Sequence, residues 1–405
     1  MSTRRQMLHA AMAGAALAPW ASLSLAAGPA AVGLTAPRFV FLILRGGMDG
    51  LLAVPAVGDP AFADARGPLA DFNGAPLKLD GTFALHPLLP QLHAMYGSGE
   101  VAVIHATGLP YRERSHFDAQ QLLESGGSRP QELGSGWLGR ALAASAGARV
   151  AQKGVALETA VPLVLRGSVD VDTWAPSSLP EPAPDLVMRL ESMYRNDPAL
   201  AQALERARAL REVPGMGANP QAMGANANNA GRRAAVALAT KAADFLQRGT
   251  QVAVMELGGW DSHTNAATPN GALSNTLRTL DATLAALKDG LAPGGVWGRT
   301  VVLVATEFGR EVAFNGNGGT DHGTGGAAFL LGGAVRGGRV IADWPGLAKK
   351  DRFEGRDLRV TTELRAVVRT VLADHLRVPR AALDGTVLPG SAGLQPLDLL
   401  RSSAG

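Results

Sequence analysis

The chain has 405 residues, 46% hydrophobic and 18% charged, so a large core can form, global disorder is excluded, and one large α/β unit or two smaller domains is the working range. The formal net charge is +3, two of those charges being Arg4 and Arg5 near the start, and aromatic residues make up only 5%. Both figures argue against a nucleic-acid partner and against aromatic platforms for single strands or sugars. No cysteine is present, which excludes disulfides, thiolate metal sites, iron–sulfur clusters and a cysteine nucleophile, and leaves histidine and oxygen ligands.

Ser2-Thr3-Arg4-Arg5-Gln6-Met7-Leu8 opens the chain and is followed by an apolar, alanine-rich run to about Leu25, with Ser24-Leu25-Ala26 fitting a small-x-small cleavage site. No acidic residue occurs from Met1 to Ala31. Residues 1–26 resemble a twin-arginine signal peptide, which implies export by the twin-arginine translocase to the periplasm or beyond. The run is short for a bilayer span and contains Pro19 and Trp20, so stable membrane insertion is not expected.

Arg38 to Arg45 (RFVFLILR) is a continuous apolar run that ends in Gly46-Gly47-Met48-Asp49-Gly50, the pattern of a strand buried on both faces and followed by a tight turn. Similar runs recur at Glu100–Ala106, Val161–Leu165, Gln251–Leu257, Thr300–Ala305 and Ala327–Leu331. Helical spacing is read at Pro87–Tyr96, Ser115–Glu124, Arg232–Arg248 and Asn275–Leu291. This alternation predicts an α/β protein, a three-layer α/β/α sandwich with a mostly parallel central sheet, in one domain over 36–395. A helical insertion and a low-complexity loop occupy about 180–231, including Pro214 to Gly231. Leu358–Leu376 opens with Thr361-Thr362-Glu363 and predicts a capped amphipathic helix on the sheet.

Ligands of open parallel sheets bind beyond the carboxyl ends of the strands, and polar residues cluster at those predicted ends. The first run leads to Asp49, and the second, through a loop, to Arg114-Ser115-His116. The Gln251 run leads to Asp261-Ser262-His263, and the Thr300 run to Glu307 and Arg310. A glycine-rich loop then carries Asp321-His322. Four histidines, His105, His116, His263 and His322, lie at or just beyond such ends. Carboxylates with imidazoles and no thiolate suit zinc, manganese, magnesium or calcium. Plainer readings stand beside each: Asp49 as a turn or helix cap, Ser115 as an N-cap, His263 and His322 as structural histidines, Glu307 as the ion-pair partner of Arg310. The stretch Gly316 to Gly326 lacks the Gly-Lys-Ser/Thr ending of a phosphate loop.

Taken together, the leader, LRGGMDGL, RSHFDAQ, GGWDSH, TEFGR and TDHG resemble an uncharacterised family of twin-arginine-exported, sulfatase-like proteins. More distantly, the order of these motifs is similar to that of the alkaline phosphatase and sulfatase superfamily. This resemblance implies an alkaline phosphatase-like fold and a hydrolase or transferase of phosphate or sulfate esters, holding one or two divalent metals and passing through a phospho- or sulfo-enzyme. It implies Ser115 as nucleophile, with Arg114, His116 and Arg310 completing the catalytic set, and a metal set of Asp49, Asp261, His263, Glu307, Asp321 and His322. Arg45, Arg114 and Arg310 are candidates for gripping the anion. The superfamily has a ligand histidine where this chain has Phe308, and His116 or Asp321 is the candidate to replace that imidazole. The expected substrate is a small anionic ester or a modified polymer. The alternative is a sulfatase-fold protein without turnover, acting as a binding or assembly component outside the cytoplasm.

Overall fold

The computed structural model describes residues 35–145, 154–176, 184–198, 200–202, 204–205, 227–266, 268 and 271–401. The leader 1–26 and most of the low-complexity stretch lie outside the described residues. The first apolar run forms β1 (Arg38–Leu44), buried along its whole length. A separate antiparallel ribbon pairs β2 (Leu77–Lys78) with β3 (Ala84–Leu85). The remaining strands are β4 (Val101–Gly108), β5 (Gly154–Ala156), β6 (Asp172–Thr173), β7 (Val252–Leu257), β8 (Thr300–Thr306), β9 (Gly326–Leu331), β10 (Arg339–Ile341) and β11 (Thr362–Glu363). With β1 they form a nine-stranded sheet of order β10-β4-β9-β8-β1-β7-β5-β6, with β11 added on β4.

All pairings in this sheet are parallel except those of β9, which runs antiparallel to β4 and β8. Successive side chains of β1 enter opposite cores, Val40, Leu42 and Leu44 on one face and Phe39, Phe41 and Ile43 on the other. The helices are α1 (Gly50–Ala53), α2 (Phe62–Arg66), α3 (Pro90–Gly97), α4 (His116–Ser125), α5 (Trp137–Ala144), α6 (Pro184–Tyr194), α7 (Ala227–Gln247), α8 (Ala272–Leu291) and α9 (Leu364–Thr370). Leu92 of α3, Leu246 of α7 and Leu284 of α8 pack on the first face, and Leu122 of α4, Leu138 of α5 and Val367 of α9 on the second. The result is the expected three-layer sandwich with a mostly parallel sheet. Among the described residues, no helix is long and apolar enough to cross a membrane.

Two expectations need correction. Val161–Leu165 is not a strand but carries a 3-10 turn at Leu163–Leu165. Pro162 has no N–H for a ladder, and the Val164 N–H donates to the Glu124 carboxylate at 3.0 Å, so burial is met without pairing. In the tail, Thr362–Glu363 pairs with β4, and α9 begins only at Leu364 behind an N-cap Glu363 that makes no side-chain cap bond. The tail's helical register then continues as a wider π turn over Val371–His375.

Candidate metal centre and active site

The parallel strands deliver their polar residues to one edge of the sheet. The segment after β4 leads to Ser115 and His116 at the start of α4, that after β7 carries Asp261 and His263, and that after β8 carries Glu307 and Arg310. Because β9 runs the other way, the residues just before it lie at the same edge, and this brings in Asp321 and His322. Gly46 and Gly47, at φ 121° and 72°, make close approach possible. A Cβ on Gly46 would lie 2.5 Å from the Asp261 backbone nitrogen, and one on Gly47 would lie 2.6 Å from the Phe308 ring.

The centre is built from three imidazoles and one carboxylate. His322 Nε2 lies 3.1 Å from His116 Nε2 and 3.0 Å from His263 Nε2. Asp261 Oδ1 is 3.0 Å from His263 Nε2 and 3.3 Å from His322 Nε2, and its Oδ2 is 3.6 Å from His116 Nε2. Ligand atoms of His116, Asp261 and His322 all fall within 4.8 Å of one another, and His263 flanks that trio.

The opposite ring nitrogens each face an acceptor. His116 Nδ1 is 2.8 Å from Glu307 Oε1, His263 Nδ1 is 3.0 Å from Asp321 Oδ1, and His322 Nδ1 is 3.0 Å from the Arg114 carbonyl oxygen. These acceptors favour a ring proton on Nδ1, in competition with Asp261 at the Nε2 atoms of His263 and His322, and in that tautomer the Nε2 lone pairs of adjacent imidazoles face one another. Lone pairs at such distances repel, and a shared cation relieves that repulsion. Nδ1 hydrogen bonds to carboxylate or carbonyl are also how metal-ligating histidines are oriented. Burial, opposed by the hydrogen bond to the Arg114 carbonyl but reinforced by the nearby Arg310 charge, lowers the pKa of His322 and favours the neutral form that a ligand needs.

Carboxylates around the centre stay ionised for local reasons. Burial works against ionisation of Asp261, but the Arg310 charge and its 2.7 Å hydrogen bond outweigh it and hold the carboxyl below its ordinary value. Burial also opposes ionisation of Glu307, and is overcome by hydrogen bonds from Gln120 at 3.0 Å, His116 and the Gly46 N–H at 2.9 Å. Phe308 packs on His116 and His322 with ring centroids 4.6 and 5.0 Å away. The residues present therefore fit a divalent cation held by nitrogen and oxygen donors.

Other expected residues are placed differently. Asp49 does not join the cluster: one oxygen accepts from the Leu51 and Leu52 N–H groups, both at 3.1 Å, and the other receives Arg66 at 2.6 Å in a fully buried ion pair. Its helix-cap reading describes these contacts, and its expected place as a ligand yields to them. Glu307 and Asp321 stand behind His116 and His263 as acceptors on their Nδ1 atoms. His105 is fully buried and hydrogen-bonded to the Val54 carbonyl at 2.9 Å, away from the cluster. Ser115 is the N-cap residue of α4 and makes no side-chain cap bond. Arg114, at φ 62°, is bound by Asp357 at 2.7 Å and Glu354 at 2.6 Å, so its guanidinium is already committed. Arg310 is buried, gives one nitrogen to Asp261, and has no acceptor for Nε or Nη1.

Arg45 is likewise neutralised, by Glu124 at 2.8 Å and by Glu256. Beside this group, burial and then the Glu256 charge push the Glu158 carboxyl from its ordinary 4.5 up to about 7. A carboxyl whose folded pKa is raised stabilises the fold at low pH and loses that contribution as pH rises through the raised value. The window here runs from about pH 4.5 to about 7. Glu158→Gln is expected to flatten the fall of melting temperature across that window and to melt above the parent at pH 8. An unchanged pH dependence would show that Glu158 ionises normally.

Sequence reasoning missed three supporting residues. Gln120 lies one helical turn beyond His116 and meets the same Glu307, a spacing that RSHFDAQ displays. Asn315 donates to Asp321 at 3.1 Å and to the His263 carbonyl at 3.0 Å. Arg66 gave no local signal, since only the fold carries it to Asp49.

The sulfatase PsFucS1 from Pseudoalteromonas sp. is 13% identical over 91% of this chain and 74% of its own, with TM-score 0.42. The phosphonate monoester hydrolase of Agrobacterium radiobacter is 13% identical over 85% of this chain and 74% of its own, with TM-score 0.40. Alkaline phosphatase from the Antarctic bacterium TAB5 is 12% identical over 73% of this chain and 92% of its own, with TM-score 0.36. No curated protein sequence matches the chain. The model of one family, described as protein of unknown function (DUF1501), matches residues 92–381, from the helix before β4 through the whole histidine cluster to the end of the sheet, and the chain belongs to that family.

Proposed function

We propose that this protein is an exported, divalent-metal-dependent hydrolase of phosphate or sulfate esters, or a transferase of the same chemistry. The observation that carries the reading is the set of imidazoles that face one another through Nε2 while their Nδ1 atoms are held by Glu307, Asp321 and the Arg114 carbonyl. His116, Asp261 and His322, flanked by His263, would hold the metal, zinc being the best match to this donor set, with manganese, magnesium or calcium as the other candidates. A bound divalent cation supplies Lewis-acid polarisation and charge neutralisation at the reacting ester.

The chain's own groups supply the rest. Ser115 lies where the backbone N–H groups of α4 favour negative charge, which assists ionisation of its hydroxyl. In the proposed step its oxygen bonds to phosphorus or sulfur while the bond to the bridging ester oxygen breaks, and the alcohol departs with a proton. Water then cleaves the serine ester and frees phosphate or sulfate. Arg310, paired with Asp261 alone and with two nitrogens, Nε and Nη1, unmet, is the cation best placed to steady the anion, because Arg45 and Arg114 are each paired with two carboxylates.

The test is elemental analysis of the purified, metal-replete protein together with assays on aryl phosphates and aryl sulfates. Bound metal with turnover supports the reading, and absence of metal overturns it. A second reading, a binding or assembly component without turnover, draws on Asp49, whose carboxylate is taken by Arg66. Stoichiometric metal with no turnover of either ester class would favour it.

Export rests on the leader. Replacing Arg4 and Arg5 together by lysine is expected to leave precursor in the cytoplasm, because the translocase reads the arginine pair. Fractionation and intact mass would check it, and processing of the lysine pair at the wild-type level would remove the twin-arginine reading.

A further inference from the structure

A cavity of about 430 Å³ lies against the segment that carries Asp261. Its floor runs from Glu256 at the end of β7 to Trp260, and its sides are the first turns of α8 and the facing surface of α7. Trp260 immediately precedes Asp261, about 3.8 Å along the chain, so cavity and metal centre share one stretch of backbone. The volume falls within the range of small-molecule sites.

We propose that this cavity receives the uncharged, ring-bearing alcohol portion of an ester whose anionic group is handled at the metal centre, an assignment that rests on the hydrolase reading above. The bond that breaks joins the bridging oxygen to phosphorus or sulfur, and the departing oxygen, with its proton, stays on the ring held in the cavity.

The lining specifies the class. Ala234, Ala235, Leu238, Leu257 and Trp260 give it mostly apolar walls. Arg232 and Glu256 contribute one charge of each sign, so neither sign predominates; Arg232 also donates to the neutral Asn229 at 2.8 Å, and Glu256 accepts from Arg45 at 2.8 Å. A strongly charged leaving group therefore gains little there. The hydroxyls of Thr276 and Thr279 donate to carbonyls of their own helix, Leu273 and Asn275, both at 2.8 Å. They offer lone pairs but no free donor, so a polyhydroxylated sugar would replace only part of the hydrogen bonds it gives up to water, whereas an aromatic or alicyclic alcohol gives up few. The indole N–H of Trp260, another lining residue, has no acceptor.

The test titrates 2-naphthol into the full-length, metal-replete protein by calorimetry and follows turnover of 2-naphthyl phosphate and 2-naphthyl sulfate in parallel. Saturable binding is expected, weakened about tenfold or more by Leu238→Trp, which fills the cavity, with bound metal unchanged. Ala234→Leu, a smaller change at a half-exposed position, should act in the same direction if the tryptophan variant fails to fold. Absence of naphthol binding, binding indifferent to both variants, or equal binding of methyl glucoside overturns the assignment. Turnover without naphthol binding overturns the cavity alone. Binding without turnover of either ester removes the hydrolase reading and the leaving-group role together.

Discussion

Replacing His322 by alanine should abolish metal binding while leaving the protein folded. Its Nε2 lies within 3.3 Å of His116, His263 and Asp261 ligand atoms, so its removal breaks these three short contacts and leaves only that between Asp261 and His263. The ring is partly exposed and lies at the sheet edge, outside both hydrophobic cores, so the fold loses little packing. Elemental analysis should show metal in the parent and a trace in the variant. Metal at about a hundredfold excess over its dissociation constant adds about 2.7 kcal/mol to the folded state. The parent's melting temperature should therefore rise on addition of the metal, and the variant's should not. A His322→Ala protein with wild-type stoichiometry would dissolve the centre as drawn. Glu307→Gln probes the same centre from behind, because the Nδ1 acceptor of a ligand histidine contributes about 10- to 100-fold in affinity.

Ser115→Ala should divide the nucleophile from the cap. Loss of a nucleophilic serine lowers turnover by about three orders of magnitude or more. A capping serine typically contributes about 1 kcal/mol of stability. Ser115 makes no side-chain cap bond, so the variant should melt close to the parent, retain its metal and lose turnover of an activated aryl phosphate or sulfate. Undiminished turnover in a folded Ser115→Ala protein would rule out a serine ester.

The sheet was legible because its strands are buried on both faces. β1, β7 and β8 read as uninterrupted apolar runs, and no competing pattern blurred them. β5, β6, β10 and β11 are two or three residues long, too short to impose a period, and were not foreseen. Val161–Leu165 shows the limit of composition: the residues are buried as their character demands, yet a proline and a side-chain acceptor make a turn of them. In the site, strand-end logic pointed to His116, Asp261, His263 and His322. It could not distinguish ligands from the groups behind them, because that difference is whether a carboxylate meets Nδ1 or Nε2. Asp49 was misplaced for a related reason: Arg66, 17 residues on, has no recognisable motif, and only packing brings it into contact.

The order of strands carries a further consequence for how the protein is made. β1 is the first strand to leave the ribosome, yet its neighbours in the sheet are β7 and β8, and the turn that follows it is tied to Glu307, 261 residues downstream. His116 and His322, which meet through their ring nitrogens, are 206 residues apart. Until β7 and then β8 are made, a seven-residue, largely apolar strand has no partner, and until residue 322 is made the imidazoles cannot meet. Nascent chains should thus lean on cytosolic holdases for much of their synthesis, and the imidazole cluster can form only as the last third closes the sheet. Any secretion route that threads an unfolded chain would postpone that step to the far side of the membrane.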